Sequence, residues 1–130
     1  MKRDMDLIRE LLLKLEALPL RPGEIHLVSD HDGELAIEGR SADEIEYHLD
    51  LIREAGFIES PGAQPVNSGL TFQRLSWSGH DFLDSVRNLE TWAKTKKAAA
   101  GAGGFTVDLL KDLAKGFIKK QVEERTGIKL

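Results

Sequence analysis

SADEIEYHLDLIREAGFIES, residues 41–60, runs a helix directly into a strand, and the rest of the chain is best read outward from it. Ser41 followed three residues later by Glu44 forms a capping box, in which each side chain satisfies a backbone N–H left over at a helix start. Ile45, Leu49 and Ile52 then recur at helical spacing and define one buried stripe. Gly56 stands where a helix commonly ends in a left-handed residue, and FIES continues in extended conformation. The remaining positions are acidic. Asp43, Glu44, Glu46, Asp50 and Glu54 face a single Arg53, a net charge of −4 over residues 41–55.

On the N-terminal side, Met5, Ile8, Leu12 and Leu15 predict a helix over 4–18, stopped by Pro19, Pro22 and Gly23. Residues 24–40 alternate at Ile25/Leu27 and again at Leu35/Ile37, with Asp32-Gly33 between them, a β-hairpin pattern. On the C-terminal side, Ser60–Gly69 carries two prolines and two glycines and reads as a loop. LTFQRLS, residues 70–76, is expected to pair back on FIES as the second strand of a wing. Ser76 or Ser78 caps a third helix, SGHDFLDSVRNLETWAK, whose inner face holds Phe82, Leu83, Val86, Leu89 and Ala93. Residues 95–105 are rich in Ala and Gly and are expected to form a flexible linker. A last helix over 106–127 starts at Thr106 and stops at Gly127. Its apolar face is Val107, Leu110, Leu113, Ala114, Phe117 and Ile118, and Lys111, Lys115 and Lys119 repeat along another face. The organisation expected is a domain over 1–94, the linker, and a basic amphipathic helix.

Helix, short strand, helix, GFIE, loop and LTFQRLSWSGHDFLDSVR together resemble the winged helix-turn-helix class, which implies an α+β fold. More narrowly, the opening MKRDMDLIRELLLKLE, the central EIEYHLDLIREAGFIE and RLSWSGHDFLDSVRN resemble a family of small bacterial and prophage proteins grouped as a domain of unknown function. That resemblance spans nearly the whole chain and implies a mobile-element setting, with no activity, ligand or catalytic residue to carry over.

Composition narrows the function. No apolar run approaches the roughly 20 residues needed to cross a bilayer, and the chain has no cysteine, which suits a reducing cytoplasm. Charge is divided unevenly, with nine Lys+Arg against 18 Asp+Glu in residues 1–91 and nine against four in residues 92–130. Reading DNA requires donors on the exposed face of the reading helix and cations nearby for phosphate. The helix over 41–55 offers carboxylates instead, and the loop 60–69 has no Lys or Arg. A protein-contact surface built on Tyr47, His48, Arg53, Trp77 and Trp92 is the expected site. The alternative is DNA binding in which Lys111, Lys115, Lys119 and Lys120 of the last helix supply phosphate contacts. That helix could equally dock on its own domain or on a second copy as a homodimer.

No metal, cofactor or catalytic residue is expected. His26, Asp30, His31 and Asp32 cluster in sequence, but Leu35 occupies the position where a calcium loop requires glycine. Ser76, Ser78, His80 and Asp81 are adjacent on one helical turn, so they point in different directions, and no nucleophile elbow accompanies them. Phosphate-loop, dinucleotide and zinc spacings are missing too. Gly79 is expected to let the helix start approach a neighbouring backbone.

Overall fold

The computed structural model describes residues 1–29, 33–65 and 69–130. It is α+β: α1 (Met5–Glu16), β1 (His26–Val28), α2 (Ala42–Glu54), β2 (Ile58–Glu59), β3 (Leu70–Phe72), β4 (Arg74–Leu75), α3 (Trp77–Val86), α4 (Leu89–Ala102) and α5 (Val107–Thr126). Two compact units divide the chain, Met1–His80 and Asp81–Leu130, with the boundary inside α3.

The first unit is organised around α1. Asp4 caps it, its carboxylate accepting the N–H groups of Asp6 and Leu7. Leu7 and Leu11 are buried as completely as Ile8, Leu12 and Leu15, so the apolar surface of α1 is wider than one stripe, and α2 and β4 pack on it. The capping box of α2 forms as the Ser41/Glu44 spacing predicts, and Ile45, Leu49 and Ile52 are buried.

The strands correct one expectation. Among their described residues, 24–40 do not pair with themselves as a hairpin. Instead β1 pairs antiparallel with β3, His26 opposite Phe72 and Val28 opposite Leu70. This register sets Val28 opposite Leu70, and both side chains are buried. Residues 33–40 are turns, with Leu35 buried on its own account. Asp30, His31 and Asp32, part of the rejected calcium-loop pattern and of the hairpin turn, lie outside the described residues. The expected return pairing is present but short: LTFQRLS divides into β3 and β4, and β4 takes β2, Ile58 opposite Leu75 and Glu59 opposite Arg74.

In the second unit the expected single third helix is two. α3 ends at Val86, and Asn88 starts α4 by accepting the Thr91 N–H on its side-chain oxygen. The linker expected over 95–105 is helical as far as Ala102. Alanine is the strongest helix former, and the helix stops only at Gly103, left-handed at φ 85°. There the N–H groups of Gly103 and Gly104 return to Ala100 and Ala99, a Schellman ending. Residues 103–106 turn the chain, Thr106 caps α5, and α5 packs on α4 through Leu110 and Ala114. Trp92, Thr95 and Ala99 are buried on α4.

Candidate interaction surface

The five residues expected to form a contact surface separate into two groups. His48 is 1% exposed. Its Nε2 accepts the backbone N–H of Asp4 at 2.9 Å, and Nδ1 donates to the carbonyl of Glu44 at 2.7 Å. The two bonds assign a neutral ring with its proton on Nδ1. His48 is therefore a structural tie between the start of α1 and the middle of α2, and it is not available to a partner. Trp92 is 3% exposed, with Lys96 Nζ lying 5.7 Å from its ring centroid; it is core. Tyr47 is half-buried and meets the His48 ring edge-on, and Arg53 is exposed beside Asp50 at 3.7 Å. Trp77 is 85% exposed.

The surroundings of Trp77 make that exposure informative. Ser76 donates its N–H to the Phe57 carbonyl at 2.9 Å and its hydroxyl to the Gly56 carbonyl. The same hydroxyl accepts the Gly79 N–H at 3.1 Å, which caps α3. Ser78 donates to the same Gly56 carbonyl at 3.1 Å, its hydroxyl lying 3.1 Å from that of Ser76. At Gly79 a Cβ would stand 2.0 Å from the Phe57 carbonyl oxygen, so only glycine permits this approach. The reading of Gly79 as a close-approach residue is thus the observed geometry. In Ser-Trp-Ser-Gly, every residue but one fastens the start of α3 to the residues entering β2. The exception is the indole, which projects from a fixed backbone into solvent. A large apolar ring exposed on a rigid support is the arrangement of an interface anchor, because the backbone part of its ordering cost is already met in the free protein.

The acidic face of α2 is also more occupied than its sequence suggests. Glu44 accepts the Ser41 N–H at 3.2 Å and lies 3.4 Å from Arg40. Arg40 in turn binds Asp4 at 2.8 Å. Burial opposes ionisation of Asp4. The Arg40 hydrogen bond, the Leu7 N–H, the Arg40 charge and the Asp6 N–H outweigh it, and the carboxyl is held below its usual range. Glu44 is lowered mainly by the Ser41 N–H, with Arg40 adding to it, and Arg40 is raised mainly by Asp4. Glu46 accepts the Gly69 N–H on both oxygens, at 3.0 and 2.9 Å. Asp43, Asp50 and Glu54 remain exposed.

On α5, Lys115, Lys119 and Lys120 are exposed and Lys111 is half-buried. Among the described residues no ion pair involves any of the four. They share the helix with Asp108, Asp112, Glu123 and Glu124. No helix among the described residues is long and apolar enough to cross a membrane.

The two tryptophans look alike in sequence, and what separates them is tertiary: the SWSG backbone is already committed to Gly56 and Phe57. The signal available in sequence was the pair of serines and the glycine around Trp77, all small residues suited to backbone contact.

Residues 2–105 match the family described as "Hypothetical protein (DUF2513)". A protein of Haemophilus influenzae described as "Uncharacterized protein" is 32% identical over 124 residues, 94% of this chain and 99% of that one. No solved structure matches the chain. With the greater part of its length inside the family match, the chain belongs to the DUF2513 family, a domain family of unknown function.

Proposed function

We propose that the protein is a non-enzymatic winged-helix module that works by contacting another protein, in a regulatory role in the cytoplasm, with Trp77 as the anchor of the contact. The winged-helix reading is supported by the order helix, strand, helix, strand, returning strand, and by the pairing of the return segment with both β1 and β2. The mobile-element setting comes from the family resemblance alone, and gene neighbourhoods of relatives test it. The observation that carries the functional reading is the exposed indole on a backbone fixed by Ser76, Ser78 and Gly79. Tyr47 and Arg53 on α2 are candidates for additional contact, and the exposed acids of α2 suit a basic partner surface better than a phosphate backbone.

The test is site-specific photo-crosslinking in the host cell. A benzophenone side chain at position 77 is expected to capture one or a few discrete proteins, while the same probe at exposed Glu90 captures none of them. Equal labelling from both positions would remove Trp77 as an anchor. A second reading, duplex DNA held through phosphate by α5, is favoured by the exposed Lys115, Lys119 and Lys120 and is opposed by the four acids on the same helix.

A further inference from the structure

A shallow groove lies within the first unit, walled by Leu18, Leu20, Phe72 and Leu75 and rimmed by Arg74 and by Glu16 and His80, which stand 3.9 Å apart. Its volume is about 150 Å³, well below the roughly 300–1,000 Å³ of sites that enclose small molecules. It is sized for one or two aliphatic side chains. The residues that follow Gly127 supply such side chains. Ile128 and Leu130 are 61% and 64% exposed. Their backbone is nevertheless held in place: the Ile128 N–H donates to the Thr126 hydroxyl at 3.2 Å, and the Leu130 N–H donates to Glu123 Oε1 at 3.0 Å. The backbone of the segment is thus held while its two apolar side chains are uncovered, so docking them has mainly side-chain freedom to remove.

Charge favours encounter between the unit that carries the groove and the unit that carries the segment. The groove belongs to Met1–His80, which has eight Lys+Arg against 15 Asp+Glu, while its own rim is mixed, with Glu16 beside Arg74 and His80. The segment belongs to Asp81–Leu130, with ten against seven, and carries Lys129 between its two aliphatic residues. Opposite net charges favour encounter between unlike units of two molecules. We propose that residues 128–130 of one copy dock Ile128 and Leu130 into the groove of a second copy, and that the exchange is reciprocal. Such an isologous pair closes on itself, where a one-way exchange would propagate into open chains. This association goes beyond the Trp77 surface and does not use it.

Sedimentation of the full chain over a range of concentrations tests the proposal. The wild type is expected to pass from monomer to dimer. Ile128→Ser with Leu130→Ser, and separately Leu20→Glu in the groove wall, should each weaken the dimer at least about tenfold, given the apolar burial removed. An equimolar mixture of the two variants should recover part of the association, because one intact groove then meets one intact segment. The 128/130 variant alters only exposed side chains, so its fold is secure, and circular dichroism checks the groove variant; should Leu20→Glu unfold, the 128/130 variant alone decides between dimer and monomer. A wild type that stays monomeric overturns the proposal. So do an unchanged dimer in the 128/130 variant and a melting temperature lowered with no change in mass, which would place the segment in its own groove. Trp77→Ala should leave the dimer unchanged; loss of the dimer there would assign self-association to Trp77 instead.

Discussion

Trp77 and Trp92 should respond in opposite ways to the same substitution. Trp77→Ala removes an exposed ring and is expected to change stability by no more than about 0.5 kcal/mol, as surface substitutions do. Trp92→Ala empties a buried site and should cost about 3–5 kcal/mol. Thermal melts of the two variants measure both. A large loss at Trp77 would show that the ring packs in solution. Arg40 gives a prediction in pH. It favours the ionised form of Asp4 and adds to the Ser41 N–H in favouring that of Glu44; both carboxyls are lowered in the folded state, so the stability they add is complete above the unfolded carboxylate range and is lost as pH falls through their folded values. Arg40→Gln should therefore melt below the wild type at neutral pH, and the two melting curves should converge as the solution is taken below about pH 4. A gap that persists unchanged in acid would mean that Arg40 acts by packing alone.

At the scale of the element, Asn88 divides what its apolar pattern presents as one helix. Its side-chain oxygen accepts the Thr91 N–H and so starts α4, a local bond that competes with continuation of α3. Asn88→Ala should cost about 1 kcal/mol, read as a lower urea midpoint with unchanged slope. Asn88→Asp, which keeps the acceptor, should restore most of it. The same competition explains how far each element was legible. α1, α2 and α5 could be bounded from sequence: apolar spacing and Pro19 delimit α1, and Ser41 and Thr106 are strong caps that agree with the spacing of α2 and α5. The α3–α4 break was hidden because Leu89 falls on the helical spacing of Phe82, Leu83 and Val86, yet it is exposed. Three nearby glycines make the alanines of α4 resemble a linker, whereas the first of them, Gly101, remains helical and only Gly103 ends the helix. The partner of β1 could not be seen at all, since its register with β3 depends on residues more than forty positions away and local alternation favoured Leu35 and Ile37.

For the whole molecule, the decisive property is how charge is used rather than how much there is. The α2 carboxylates suggested a surface hostile to polyanions, but Glu44 and Glu46 are engaged in capping and in holding Gly69. His48, expected on that surface, fastens two helices instead. What stays legible is the polarity between units, acidic in Met1–His80 and basic in Asp81–Leu130. Any affinity for duplex DNA should then reside in the second unit and be non-specific, since phosphate contacts carry no sequence information. A mobility-shift titration of the full chain at low salt is expected to show at most weak binding, indifferent to sequence. Replacing Lys115, Lys119 and Lys120 by glutamine should abolish it, with the salt slope falling by up to about three if each lysine displaces roughly one counterion. Tyr47→Ala with Arg53→Ala should have little effect on it. The reverse outcome, sequence-preferring binding that depends on Tyr47 and Arg53 and ignores the α5 lysines, would make α2 a reading helix. The exposed carboxylates of Asp43, Asp50 and Glu54 argue against that outcome: a helix inserted between phosphate backbones would bring each of them toward like charge, with water and counterions partly excluded.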